Sequence, residues 1–114
     1  VKRVYLSNDI LARDRHRNMQ VAFRYAQIND QKKAAELTLI SANRGLDSAQ
    51  ISIGKMYVHG MGVEPNIIEA YKFFKLSEDE TSKNLYLKVL REKMTQEQIK
   101  EAENLVKNFE ATYK

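Results

Sequence analysis

The chain has 114 residues, with four glycines, one proline, no cysteine and a formal net charge of +4 at pH 7. This length allows one modest hydrophobic core, the lack of cysteine excludes disulfides and thiolate zinc sites, and no run of about 18 apolar residues is present to span a membrane. The charge comes from residues 1–24, which contain six basic and two acidic residues, whereas from residue 50 onward ten basic residues are balanced by ten acidic ones.

Six amphipathic helices are predicted along the chain. Helix-forming residues dominate, and no alternation of period two is long enough to indicate a strand. Asn66 followed by Glu69, and Thr95 followed by Gln98, have the spacing of helix N-terminal capping residues. The fold class is therefore predicted to be all-α. The predicted helices lie at residues 8–28, 31–43, 48–59, 66–77, 82–93 and 96–112.

The sequence contains an internal repeat with a period of about 36 residues. Each repeating unit contains two apolar stripes with helical spacing, so the unit is predicted to be a pair of helices. We expect one α-solenoid domain over 1–114, alone or as part of a longer array, with helix pairs at about 8–43 and 48–77, then a helix at 82–93 and a closing helix at 96–112. The residue pairs that define the period are Ala34 and Ala70, Leu37 and Phe73, Ser41 and Ser77, and Gly45 and Thr81.

This pattern resembles the Sel-one-like repeat, a relative of the tetratricopeptide repeat. The resemblance is specific over about residues 37–77, while the first unit lacks the Gly-x-Gly-Val loop. It implies a right-handed α-solenoid of antiparallel helix pairs with a C-terminal closing helix. The residues that carry the resemblance are Ala49, Ile53, Gly54, Tyr57, Gly60, Gly62, Val63, Ala70, Phe73 and Ser77.

The loop that contains Tyr57, Gly60, Gly62 and Val63 is predicted to be structural. Gly60 suits the left-handed residue that ends a helix, Gly62 allows the backbone to lie close to neighbouring helices, and Val63 can fill the gap between them. A phosphate-binding loop needs a preceding strand or a following Lys-Ser/Thr pair, and the sequence has neither.

The resemblance also implies a binding groove, because the first helix of each pair lines the concave surface in this family. Several residues on that side are apolar, so a partner's helix or extended segment is one interpretation. Burial by the chain itself is the other. The predicted groove residues are Met19, Phe23, Gln27, Ile51, Lys55, Val58, His59 and Leu87.

The function expected from the resemblance is a scaffold or adaptor that binds another protein or peptide, of bacterial or secretory-pathway type. A homodimer is compatible with so short an array. Because the chain begins at Val1 rather than Met, it is compatible with a trimmed or processed protein, and cytoplasmic and periplasmic or secreted locations both stay open.

An alternative function is a basic module in which Arg13, Arg15 and Arg17 bind nucleic acid or anionic lipid. Asp14 interrupts this cluster, and aromatic residues for base stacking are few, which favours an ordinary solvated helix face. Neither an enzyme, a cofactor nor a metal site is expected. His16 and His59 are far apart in sequence, and no nucleophile lies beside a base.

Overall fold

The computed structural model describes residues 8–109, with side chains from residue 14 onward. This part of the chain forms six helices and no strand, as the sequence predicts. The fold class is all-α. The helices are α1 (Asn8–Gln27), α2 (Gln31–Asn43), α3 (Asp47–His59), α4 (Ile67–Leu76), α5 (Glu80–Lys93) and α6 (Gln96–Asn108).

Helix α6 shows the largest difference from the predicted boundaries. It was expected to extend to residue 112, but Phe109 has an extended conformation with φ −71° and ψ 135°, so the helix ends at Asn108. Helix α5 begins two residues earlier than predicted, because the Asp79 carboxylate accepts a hydrogen bond from the Ser82 amide at 3.3 Å and caps the first turn. Residues 110–112, which the prediction also placed in α6, lie outside the described residues.

Side-chain caps fix the beginnings of α4 and α6, as the sequence indicates. Asn66 accepts a hydrogen bond from the Glu69 amide at 3.1 Å. Thr95 and Gln98 form a reciprocal capping box, with bonds of 3.0 and 3.1 Å between each side chain and the other residue's amide. These bonds satisfy amide groups that a helix beginning otherwise leaves without partners.

A tight turn joins α1 to α2. Asn29 has a φ of 65°, and its amide donates to the Ala26 carbonyl at 3.0 Å, while the Asp30 amide donates to the Tyr25 carbonyl at 2.8 Å. This is the hydrogen-bond pattern of a Schellman motif. The Asp30 carboxylate then accepts from the Lys33 amide and caps α2. The first unit therefore turns without the Gly-x-Gly-Val loop.

Two hydrophobic clusters form the core, and α4 contributes to both. Phe73 belongs to a cluster with residues of α2 and α3, whereas Phe74 belongs to a cluster with residues of α3, α5 and α6. Both rings are completely buried. The first cluster contains Ala35, Ala42, Leu46, Ala49, Ile53 and Phe73. The second contains Ile51, Ala70, Tyr71, Phe74, Leu87, Leu90, Met94 and Ala102.

The spacing of the repeated helices changes along the chain. Helices α2 and α4 begin 36 residues apart, at Gln31 and Ile67, but α5 begins only 33 residues after α3. Helix α6 packs mainly on α4 rather than alongside α5. One face of α5 is consequently left without a partner helix among the described residues.

Candidate functional site

The Gly-x-Gly-Val loop ends α3 and lies on α2. Gly60 has left-handed φ and ψ of 69° and 37°. Gly62 has a φ of 79°, and a Cβ atom on it would overlap the Gln31 carbonyl and lie 3.0 Å from the Ala35 Cβ. Val63 packs against the cluster that contains Phe73. These contacts support the structural role predicted for the loop.

Tyr57 anchors the same region from α3. Its ring stacks on Phe73, with centroids 6.2 Å apart and an interplanar angle of 6°. The Tyr57 carbonyl accepts a hydrogen bond from the Asn66 amide at 2.9 Å, which closes the loop. Burial raises the pKa of the Tyr57 phenol, and the negative charge of Glu69 adds to the increase.

Three of the predicted groove residues, Met19, Phe23 and Gln27, line one cleft of about 560 Å³ on α1. Leu46 and Ser48, at the beginning of α3, form the opposite wall. We call this depression the first cleft. A smaller depression of about 120 Å³ between α1, α2 and α3 shares Met19 and Phe23 with it. The Phe23 side chain is 64% exposed.

The predicted positions Ile51 and Leu87 do not line a groove, and this prediction is corrected. They are 8% and 2% exposed and belong to the cluster that contains Phe74. The sequence left burial by the chain itself as the alternative, and that alternative holds for both residues. On α5 the exposed apolar residues are instead Leu85 and Val89.

The remaining predicted groove residues, Lys55, Val58 and His59, lie near a different depression. Val58 and His59 line a cleft of about 310 Å³ between α3 and α5, which we call the second cleft. Lys55 is exposed, and its ammonium group lies 5.3 Å from the ring centroid of Tyr86, another residue of this cleft. The predicted groove is thus divided between two separate clefts.

Arg15 and Arg17, the two members of the arginine cluster with described side chains, lie on different faces of α1. The Arg15 guanidinium donates a hydrogen bond to the Arg44 carbonyl at the C-terminal end of α2, at 2.8 Å. Ser41 donates to the Arg15 carbonyl at 2.7 Å, so this residue ties α1 to α2. Arg17 is exposed, and two residues along a helix place it about 200° around the axis from Arg15. The Arg13 side chain lies outside the described residues.

A buried polar group that the sequence did not reveal joins α4, α5 and α6. The Tyr71 hydroxyl donates to the Glu103 carboxylate at 2.8 Å and accepts from the Arg91 guanidinium at 3.1 Å. Burial is the largest cause of the raised pKa of Tyr71, and the Arg91 hydrogen bond opposes it. The partners of Tyr71 are 20 and 32 residues away, and no local pattern indicates them.

The described residues show neither a metal-binding cluster nor a membrane span. No three His, Cys, Asp or Glu side chains between residues 14 and 109 come together as metal ligands would. None of the six helices has the length and apolar character needed to cross a membrane.

Comparison with known proteins shows the fold. No protein-family model matches the sequence, and no curated protein matches it significantly. Among solved structures, the chain is similar to a protective antigen present in uropathogenic Escherichia coli strains, whose crystal structure displays an SLR (Sel-one-like repeat) fold. The TM-score is 0.75 at 24% sequence identity, over 81% of this chain and 21% of that one. The chain therefore has a Sel-one-like repeat fold and spans about a fifth of the antigen's length.

Proposed function

We propose that this chain is a protein-binding scaffold or adaptor, and that its first cleft holds an extended segment of a partner protein. The observation that carries the proposal is the exposed Phe23 ring at the edge of a cleft of about 560 Å³. An exposed aromatic side chain beside a concave surface is typical of a binding anchor. The helical-repeat fold supports the same role, since stacked repeats offer extended surfaces to partners.

The polar residues of the first cleft favour an extended segment over a helix. Gln20, Gln27 and Ser48 stand beside the apolar Met19 and Phe23. Amide and hydroxyl groups both donate and accept hydrogen bonds, so they can pair with the peptide groups that an extended chain leaves without partners. A partner's apolar side chain would contact Phe23, while its backbone would bond to these polar side chains.

The proposal is tested with a random library of peptides about 12 residues long. Peptides that bind the immobilised 114-residue chain are selected from it. We expect Phe23→Ala to weaken the binding of the selected peptides about tenfold, which corresponds to about 1.4 kcal/mol of binding free energy. Ile28→Ala is the matched control, because Ile28 follows the same helix, is 72% exposed and lies outside the first cleft. Equal losses in both variants, or no peptide above background, would contradict the proposal.

Salt dependence distinguishes the alternative basic module from the scaffold. If basic residues of the chain neutralise two phosphates of a nucleic acid, the affinity for that nucleic acid should fall about tenfold between 50 and 200 mM salt. Binding of a peptide through apolar contact and neutral hydrogen bonds should change little over the same range. Arg15 already bonds to the Arg44 carbonyl, which leaves a weaker patch than the sequence indicates.

We also propose that residues 1–114 act as one solenoid domain, alone or within a longer array.

A further inference from the structure

The second cleft is an apolar depression between α3 and α5. Val58 on α3 and Leu85, Val89 and Leu90 on α5 form its walls, and the total volume is about 310 Å³. Tyr86 belongs to it as well, and its ring stacks on that of Phe74 with centroids 4.7 Å apart. A rigid aromatic pair therefore supports an apolar surface.

Two large apolar side chains of this cleft are directed to solvent. Leu85 and Val89 are 61% and 43% exposed, and they lie one helical turn apart on α5. Because α6 packs on α4 instead of alongside α5, no described helix covers Leu85 and Val89. Two neighbouring apolar side chains of α5 are thus left without a partner helix among the described residues.

The charges around the second cleft have one sign. Lys93 is the charged residue among the described residues that line it, and none of these residues is acidic. Lys55 adds a second cationic group beside the Tyr86 ring. Since residues 50–114 contain equal numbers of basic and acidic residues, this one-sided rim is a local feature and complements a negatively charged partner.

We infer that the second cleft binds an amphipathic, acidic α-helix of a partner protein. Unlike the first cleft, its walls contain few polar atoms, so an extended peptide would lose hydrogen bonds to water without replacement. A helix satisfies its own backbone groups and can lay an apolar stripe in such a groove. This inference uses residues that the first cleft does not contain, and it does not depend on the role proposed for Phe23.

The spacing of the cleft residues specifies the partner's pattern. At a rise of 1.5 Å per residue, Leu85 and Val89 are about 6 Å apart along α5, and Lys93 lies about 6 Å further. A matching helix carries two apolar residues one turn apart, followed after another turn by Asp or Glu. Its apolar side chains would contact Leu85 and Val89, and its carboxylate would approach Lys93 and His59.

The test uses three synthetic helices of about 16 residues, long enough to be helical in an alanine-rich sequence. The first has two leucines one turn apart with glutamate a turn beyond, the second has lysine in place of glutamate, and the third has the same composition with the leucines on opposite faces. Binding to the 114-residue chain is measured by fluorescence anisotropy. We expect the first helix to bind about tenfold more tightly than the other two, a difference of about 1.4 kcal/mol.

Variants of the chain locate the binding. Leu85→Ser should reduce binding of the acidic helix about tenfold, and thermal unfolding should show that the fold persists because the side chain is mostly exposed. Lys93→Glu should weaken the binding of the acidic helix and strengthen the binding of the lysine helix. Lys88→Glu makes the same charge change on the exposed surface of α5 outside the cleft, and is expected to leave both affinities within about twofold.

Three results would overturn the inference. One is equal binding of the three helices, or no binding by any of them. Another is an equal effect of Lys88→Glu and Lys93→Glu, which would indicate a general response to net charge. The third is that Phe23→Ala loses binding of the acidic helix while Leu85→Ser keeps it, which would assign the binding to the first cleft. Failure of the peptide selection on the first cleft leaves these measurements unaffected.

Discussion

Replacing Gly62 with alanine tests the structural account of the loop. The residue has a φ of 79°, where an L-amino acid with a side chain costs about 1–2 kcal/mol. The new Cβ would also overlap the carbonyl of Gln31, which lies in the first turn of α2 and cannot move without disturbing that helix. Displacing the loop adds about 1–2 kcal/mol, at the lower end of the cost of overpacking. The total loss is about 2–4 kcal/mol.

The assay is thermal and urea unfolding followed by circular dichroism. A loss of about 2–4 kcal/mol predicts a decrease in Tm of roughly 10–25 °C for a chain of this size, with helix content unchanged at low temperature. Gly60→Ala is the matched control. Gly60 also has a positive φ, but its added Cβ would meet the Pro65 ring at 2.7 Å rather than the backbone of another helix. We expect this variant to lose about 1–2 kcal/mol from the left-handed φ, with a smaller steric cost than in Gly62→Ala because Pro65 belongs to the same loop and can move with it.

Asparagine at each position separates backbone conformation from steric overlap. Asn tolerates the left-handed region better than Ala, so Gly60→Asn should recover much of the stability lost in Gly60→Ala. Gly62→Asn should recover little, because its Cβ meets the Gln31 carbonyl as the Ala Cβ does. Equal recovery at both positions, or a Gly62→Ala variant as stable as the original chain, would refute this account.

Two further substitutions probe the polar contacts of the C-terminal half. Tyr71→Phe removes the hydrogen bonds to Glu103 and Arg91 and should lower the free energy of unfolding in urea by about 1–2 kcal/mol; a change below about 0.5 kcal/mol would show that the bonds contribute little. Burial raises the pKa of Tyr71, so the stability that the neutral phenol contributes is complete below pH 10 and is lost as pH rises through the folded-state pKa. The loss of stability at alkaline pH should therefore be smaller in Tyr71→Phe than in the original chain. Thr95→Ala removes the capping box of α6 and should cost about 1 kcal/mol, with Thr81→Ala on the exposed surface of α5 as a control that changes stability by less than about 0.5 kcal/mol in the same urea titration.

Local sequence signals predicted the helices and the loop well. Capping residues such as Asn66 and Thr95 act within one turn, and the left-handed Gly60 is required by the backbone of its own helix end. Gly62 was expected to allow a close approach to neighbouring helices, and the contact with α2 agrees with this expectation. These features depend on neighbours in sequence or on the internal repeat.

Features that depend on the relative positions of helices were not predictable in the same way. Leu87 was expected to line the groove, but it lies in the cluster that contains Phe74, and the exposed apolar residues of α5 are Leu85 and Val89. Arg15 has the appearance of a surface charge until its bond to the Arg44 carbonyl is known. In both cases the deciding partner is distant in sequence, so composition and spacing carry no trace of it.

The central position of α4 has a consequence for how the chain comes apart. Phe73 and Phe74 are consecutive, yet each belongs to a different cluster, so displacement of α4 exposes apolar residues of both clusters at once. Long solenoids often fray one repeat at a time from an end. Here the loss of α4 would release both halves together, and the molecule is expected to melt in a single cooperative step despite its repetitive architecture.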